Sequence, residues 1–243
     1  MNLYDSIAAI YDADMGASMD LPDLECYLHA ARAVDGPVLE LGCGNGRVLA
    51  ALQSAGIDAV GIDLSLPMLH GARERCGPSI ALARMDLRQL ALRASFALAL
   101  LPYSLVTQLR NDEDWRRLAA GLRAALRPRA AVLLDAFIPR PELGDRGWLP
   151  DYARRVGVNW LVRHKRISRL GDGCSRIERR YRCRGSFGGR TLHTSEIIRP
   201  YTPIELQLQV ERFLGPVLVL EYDYGVDPGS KGRRFCTVTA LLA

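Results

Sequence analysis

The run Glu40-Leu-Gly-Cys-Gly-Asn-Gly46, with Asp63 and Asp86 further along, holds the residues whose types and spacing could do chemistry. Glycines at 42, 44 and 46 let a chain turn tightly at a strand end and admit a ligand without Cβ contact, which suits a nucleotide-type ligand. A dinucleotide fingerprint needs Gly-x-Gly-x-x-Gly, and Arg47 stands where its third glycine belongs. Preceded by Glu40, the spacing found here suits a ligand that has no pyrophosphate. Asp63, at the end of a second strand, can accept both hydrogen bonds of a ribose diol. Asp86, in Arg84-Met-Asp-Leu-Arg88, closes a third strand, where a carboxylate can bind an adenine amino group while Leu87 offers its backbone N–H.

Such groups converge only if strands deliver them to one edge of a sheet. Apolar runs at 37–41, 59–62, 80–84, 96–101 and 130–137 read as strands, the last preceded by Pro128 as the stop of a helix over 111–126. Helical spacing recurs at 20–34, 47–55 and 65–76, with Asp20 and Ser65 as caps and Gly56 as a stop. In the helix over 111–126, Trp115, Leu118, Leu122 and Ala125 share the buried side. Strands alternating with helices imply a parallel sheet with helices on both faces.

From 139 to about 200 the texture changes to alternating stretches at 158–162, 177–183 and 191–198, separated by glycine turns at 171–173 and 185–189, which read as antiparallel strands. Thr202 and Glu205 then form a capping box, and strands at 217–222 and 235–242 follow. The expected architecture is an α/β, doubly wound, seven-stranded and mostly parallel sheet built from 1–139 and 200–243, with a small antiparallel sheet inserted at 140–199.

The chain has 243 residues, half of them hydrophobic, enough to bury a full core. Its six cysteines are scattered without a Cys-x-x-Cys pair or a neighbouring histidine cluster, which argues against structural zinc and for a reduced, cytoplasmic setting. No basic-then-apolar leader opens the sequence and no apolar run reaches membrane-spanning length. The net charge of +5 comes almost wholly from arginine, Lys165 and Lys231 being the only lysines. Arginines on alternating strands read as a solvated face, so nucleic acid is not the expected partner. Exposed strand edges in the insertion would allow a homodimer.

On ELGCGNG at 40–46, GIDLS at 61–65 with Met68, MDL at 85–87 and LRPRAAVLLDAF at 126–137, the chain resembles the class I S-adenosylmethionine-dependent methyltransferases. The resemblance covers roughly 1–139 and 200–243. It implies S-adenosyl-L-methionine as cofactor, with Glu40 near its methionine amino group, Gly42, Gly44, Asn45 and Gly46 as the loop, and Asp63 on the ribose. Asp86 would take the adenine amino group, and Leu64, Met68 and Leu87 would flank the ring. The pairs Tyr4-Asp5 and Tyr11-Asp12 look like the family's N-terminal lid, which makes Tyr11 a residue of both donor binding and catalysis. Pro102, Tyr103 and Ser104, after the fourth strand, would border the transferred methyl group.

The same resemblance narrows the acceptor. An Asn-Pro-Pro-Tyr motif for nucleobases is absent, because Leu100 and Leu101 precede Pro102. The strand 96–101 carries no carboxylate for Mg²⁺, so no metal is expected. The inserted sheet resembles, in architecture only, the roof of small-molecule N-methyltransferases acting on amino sugars and glycine-type amines. Trp160, His164, Tyr181, His193, Glu196, Arg199 and Tyr201 are its candidate pocket groups. The expectation is transfer to a small-molecule amine, with Tyr103, His193 and Tyr11 as candidate catalytic residues. The rivals are an RNA or protein methyltransferase that uses the arginine-rich insertion, and a non-catalytic protein that only binds the donor.

Overall fold

The computed structural model describes residues 3–15, 22–93, 95–185, 189–227 and 232–243. In chain order the helices are α1 (Leu3–Ile7), α2 (Tyr11–Met15), α3 (Asp23–Arg32), α4 (Arg47–Ser54), α5 (Leu66–Cys76), α6 (Asp112–Ala125) and α7 (Pro203–Phe213). The strands are β1 (Val38–Leu41), β2 (Ala59–Asp63), β3 (Ala81–Arg84), β4 (Phe96–Leu101), β5 (Leu126–Phe137), β6 (Leu149–Val156), β7 (Asn159–Arg169), β8 (Ser175–Arg184), β9 (Thr191–Ile198), β10 (Val217–Tyr222) and β11 (Phe235–Leu241).

The larger of two compact units holds the described residues of 22–138 and 201–243. Its sheet runs β10-β11-β5-β4-β1-β2-β3, parallel throughout except for β11, which is antiparallel to both neighbours. The order follows from apolar patterning: every residue of β1 and β4 is buried, as two-faced parallel strands require, whereas β3 exposes both its ends at the edge. This is the doubly wound seven-stranded sheet that the alternating elements predicted. Its helices end where local chemistry says they should. Asn111 caps α6 by accepting the Asp114 N–H at 2.9 Å, and three acidic residues sit in that helix's first turn against its dipole. Thr202 and Glu205 complete the capping box of α7.

Three local expectations are corrected. The first described helix of this unit starts at Asp23 with Pro22 in the cap position and no side-chain cap; Asp20, the expected cap, lies outside the described residues. Pro128 does not close α6. That helix stops at Ala125, Leu126 is already extended, and Pro128 falls inside β5. The strand accommodates it as a bulge: Leu126 pairs with Phe96 and the next pair is Ala131 with Leu98, so the residues around Pro128 leave the ladder where no N–H is needed. Tyr201 is a core residue, not a pocket group. Its hydroxyl donates to the Leu109 carbonyl and accepts the Trp115 indole N–H at 3.0 Å.

The smaller unit joins the described N-terminal residues to Pro139–Pro200. Its four strands form an antiparallel meander in the order β6-β7-β8-β9. Strand β6, which the sequence reading left out, opens on Leu149-Pro150 and sets Arg154 beside Arg155, so no period-two alternation revealed it. The N-terminal helices, assigned from sequence to the larger domain, belong with this sheet for an electrostatic reason. Asp14 on α2 is buried and accepts from the hydroxyls of Tyr152 on β6 and Tyr181 on β8 and from the Arg163 guanidinium on β7. No helix is long and apolar enough to cross a membrane among the described residues.

Candidate active site

Strands β1 and β4 are neighbours, and the chain winds from β1 toward β2 and β3 on one side and from β4 toward β5 on the other. The loops at their C-terminal ends therefore diverge and open the crevice where doubly wound sheets bind ligands. The glycine run leaves β1 at this point, with φ of 64° at Gly42, 53° at Gly44 and 79° at Gly46. At Gly46 an added Cβ would stand 3.0 Å from Ala72 and Cys76, so α4 can approach α5 only with glycine there. At Gly44 it would meet nothing within 4 Å, so the backbone faces open space.

Two carboxylates organise this loop. Asp63 at the end of β2 accepts the Gly44 N–H at 2.9 Å and the Ser65 N–H at 2.7 Å, tying the loop after β1 to the start of α5. Glu40, in the middle of buried β1, is 2% exposed, and its Oε2 has no hydrogen-bond partner among the described residues. Burial pushes its carboxyl up to about 8, opposed by the positive charge of Arg47, which is itself paired with Asp23. A buried carboxyl with an unanswered oxygen is completed by a cation, and the ammonium of an amino-acid ligand is such a group.

The other residues expected from sequence to bind the donor differ in how freely their side chains are placed. Asp86 follows β3 and accepts three bonds from Arg88, at 2.9, 2.9 and 2.7 Å, which hold its carboxyl below the usual range. Arg88 thus competes for the carboxylate expected to bind adenine. Leu64 is 42% exposed and Leu87 half-buried, so both present apolar surface. Met68, in the first turn of α5, is buried at 1% exposure, and its N–H is accepted by the Ser65 hydroxyl. Asn45 accepts from Arg75 at 2.9 Å.

Residues 38–129 match the model of a family described as a methyltransferase domain. That stretch contains β1, the glycine loop, Asp63, Asp86 and the end of β4. Over this stretch the chain is similar to a methyltransferase domain. It is 30% identical over 142 residues to the cypemycin N-terminal methyltransferase of a Streptomyces species, covering 57% of this chain and 58% of that protein. It is also 30% identical over 139 residues to the dTDP-3-amino-3,4,6-trideoxy-alpha-D-glucopyranose N,N-dimethyltransferase of Streptomyces venezuelae, covering 55% and 58%. The matched stretch thus spans a little over half the length of these curated relatives. The solved structure of the CcbJ methyltransferase from Streptomyces caelestis superimposes with a TM-score of 0.81 over 99% of this chain and 98% of its own, at 20% identity, a likeness of fold.

At the same edge of the sheet, β4 ends in buried Pro102 followed by Tyr103 and Ser104, both left-handed at φ of 54° and 62°. Neither is glycine, so the turn needs an external hold. Sequence reasoning missed what supplies it: Asp135, fully buried on β5, accepts the Tyr103 N–H at 3.0 Å and the Ser104 N–H at 2.7 Å. The lone acid within Val-Leu-Leu-Asp-Ala-Phe was the available signal, since a charge in a central strand needs partners.

Tyr11 and His193 belong to the smaller unit. Tyr11 opens α2 and packs edge-on against Tyr4 at 6.2 Å. His193 is exposed on β9 opposite Arg180, whereas Glu196 lies on the other face of that strand and accepts from Arg179. The two candidate bases on β9 therefore cannot share one pocket. Tyr181 is fully buried with its hydroxyl on Asp14, which removes it from the pocket groups.

The two glycines separate folding from binding. Gly44→Ala is expected to lower stability by only about 1 kcal/mol, the strain of a left-handed alanine, while reducing affinity for S-adenosylhomocysteine by tenfold or more. Gly46→Ala should unfold at distinctly lower temperature even without ligand. Thermal melts and calorimetric titration of both variants check this.

Proposed function

We propose that this chain transfers the methyl group of S-adenosylmethionine to the nitrogen of a small-molecule amine. The observation that carries the donor is Glu40, a buried carboxyl with an unanswered oxygen beside a glycine loop that leaves open space at Gly44. The amine acceptor is supported by the relatives, which are named for an N-terminal amine and an amino sugar.

When bound, the donor supplies a methyl group already activated on a sulfonium. Its methionine ammonium would meet Glu40, its ribose diol Asp63, and its adenine the surface of Leu64 and Leu87. The β4-end turn at Tyr103 would border the methyl group. The chain's part would be to hold the acceptor nitrogen at the β4-end turn facing the methyl group, whose carbon–sulfur bond electrons would stay with sulfur, and to let the amine proton leave to solvent or a nearby base. Since an amine needs to lose only one proton, alignment and exclusion of water supply most of the acceleration.

Of the fourteen arginines at 139–200, four are engaged by carboxylates of the smaller unit: Arg163 by Asp14 and Asp151, Arg166 by Glu178, Arg169 by Asp145 and Arg179 by Glu196. A polyanion acceptor would make turnover fall steeply with salt, whereas a small amine would not.

Calorimetric titration with S-adenosylhomocysteine tests the donor site, repeated on Asp63→Ala. Micromolar binding that the variant loses is the expected result. It justifies an amine screen read by mass spectrometry for methylated product. Absence of binding to the unaltered chain overturns the proposal, and binding without product from any amine leaves the donor-binding reading in its place.

A further inference from the structure

Beneath the β4-end turn lies a carboxylate that the transfer chemistry does not touch. Asp135 has no exposed surface and three donors converge on it. The Tyr103 N–H reaches Oδ2 at 3.0 Å, the Ser104 N–H reaches Oδ1 at 2.7 Å, and the Tyr27 hydroxyl on α3 donates to Oδ2. Ser104 closes the arrangement from the other side, its Oγ accepting the Phe137 N–H at 2.7 Å. The Tyr103 ring in turn leans on Phe235 at 5.7 Å, and Phe235 on Tyr224 at 5.7 Å.

Two consecutive non-glycine residues with positive φ store strain of order 1–3 kcal/mol each. A neutral acid holds such a turn less well, because protonation places a hydroxyl donor where an N–H must be accepted. We infer that ionised Asp135 is the positioning residue that locks the Tyr103–Ser104 turn, and that its protonation releases the turn and with it the alignment for methyl transfer. The inference rests on the proposed activity only for its effect on turnover; the lock itself is a property of the larger unit.

The groups facing Asp135 set where this happens. Tyr27, Asp23 and Cys26 approach from α3, Tyr224 from the turn after β10, Cys236 from β11, and the two N–H groups from the β4 end. Burial raises the carboxyl to about 6, while the Tyr27 hydroxyl and the two N–H groups pull it down. The charged form is therefore present at neutral pH and lost below about 6, within reach of ordinary buffers.

The test follows the amide resonances of Tyr103 and Ser104 by NMR from pH 8 to pH 5, beside turnover and donor binding, in the unaltered chain, Tyr27→Phe and Asp135→Asn. In the unaltered chain both amides should move in one step near pH 6, with turnover at saturating donor falling over the same interval. Tyr27→Phe, which removes one donor and stays packed, should shift that step upward. Asp135→Asn should abolish it and lower kcat by tenfold or more at unchanged donor affinity. Amides that do not titrate, or a turnover step that persists in Asp135→Asn, overturn the inference. A chain with titrating amides and no donor binding would retain the lock but discard both the proposed activity and the claim on turnover.

Discussion

Glu40→Gln is expected to weaken S-adenosylhomocysteine binding by about tenfold to a hundredfold at pH 8, the range of a lost charge-assisted hydrogen bond. The same change should stabilise the protein without ligand. The sign follows from the raised carboxyl, which moves from 4.5 to about 8 on folding. A group raised in this way contributes its stability fully below 4.5 and loses it as pH climbs through about 8, because the folded state resists ionisation. Glutamine never ionises, so the variant should gain on the unaltered protein steadily from pH 5 upward and most above pH 8. Binding behaves in the opposite sense. A ligand ammonium favours the carboxylate, so affinity in the unaltered chain should rise with pH up to about 8 and then level, with proton release on binding below that point. Calorimetry in buffers of different ionisation enthalpy measures the proton directly. A pH-independent affinity would remove Glu40 from the ligand's ammonium.

Asp14→Ala should unfold the smaller unit by about 3–5 kcal/mol, the cost of breaking a buried charge pair at one end. The truncation leaves the Tyr152 and Tyr181 hydroxyls without their acceptor and removes one of the two carboxylates on Arg163, the other being Asp151 at 2.7 Å. Tyr181→Phe, which deletes only one 3.0 Å bond, should cost about 1 kcal/mol. Hydrogen exchange resolved by mass spectrometry checks both. Protection should fall across 3–15 and 149–198 in Asp14→Ala while β1, β4 and β5 remain protected. Equal loss in both regions would mean that Asp14 supports more than its own unit.

Much of the larger unit could be read in advance because its signals are local. Cap residues such as Ser65 and Thr202 act within one turn, and runs such as Phe96–Leu101 are apolar throughout because both faces are covered. The glycine loop and Asp63 announced themselves for the same reason, since a left-handed backbone and a strand-end carboxylate are visible in residue type. What escaped depends on partners distant in sequence. Asp135 answers Tyr103 and Tyr27 across separations of 32 and 108 residues, and Asp14 answers Tyr181 across 167. Strand β6 and the bulge at Pro128 were missed because each is specified by its pairing partner more than by its own pattern. Side-chain direction in β9 was likewise open until register placed His193 and Glu196 on opposite faces.

The position of β11 bears on how the chain acquires its fold during synthesis. This strand is hydrogen-bonded on one side to β5, about a hundred residues earlier, and on the other to β10, and both pairings are antiparallel within an otherwise parallel sheet. Until residues 235–241 have left the ribosome, β5 presents a naked edge of apolar ladder, and the whole of 139–200 must be made and set aside first. The nascent chain therefore carries an unprotected strand through more than a third of its translation, a window in which chaperone capture or edge-to-edge aggregation competes with completion of the sheet.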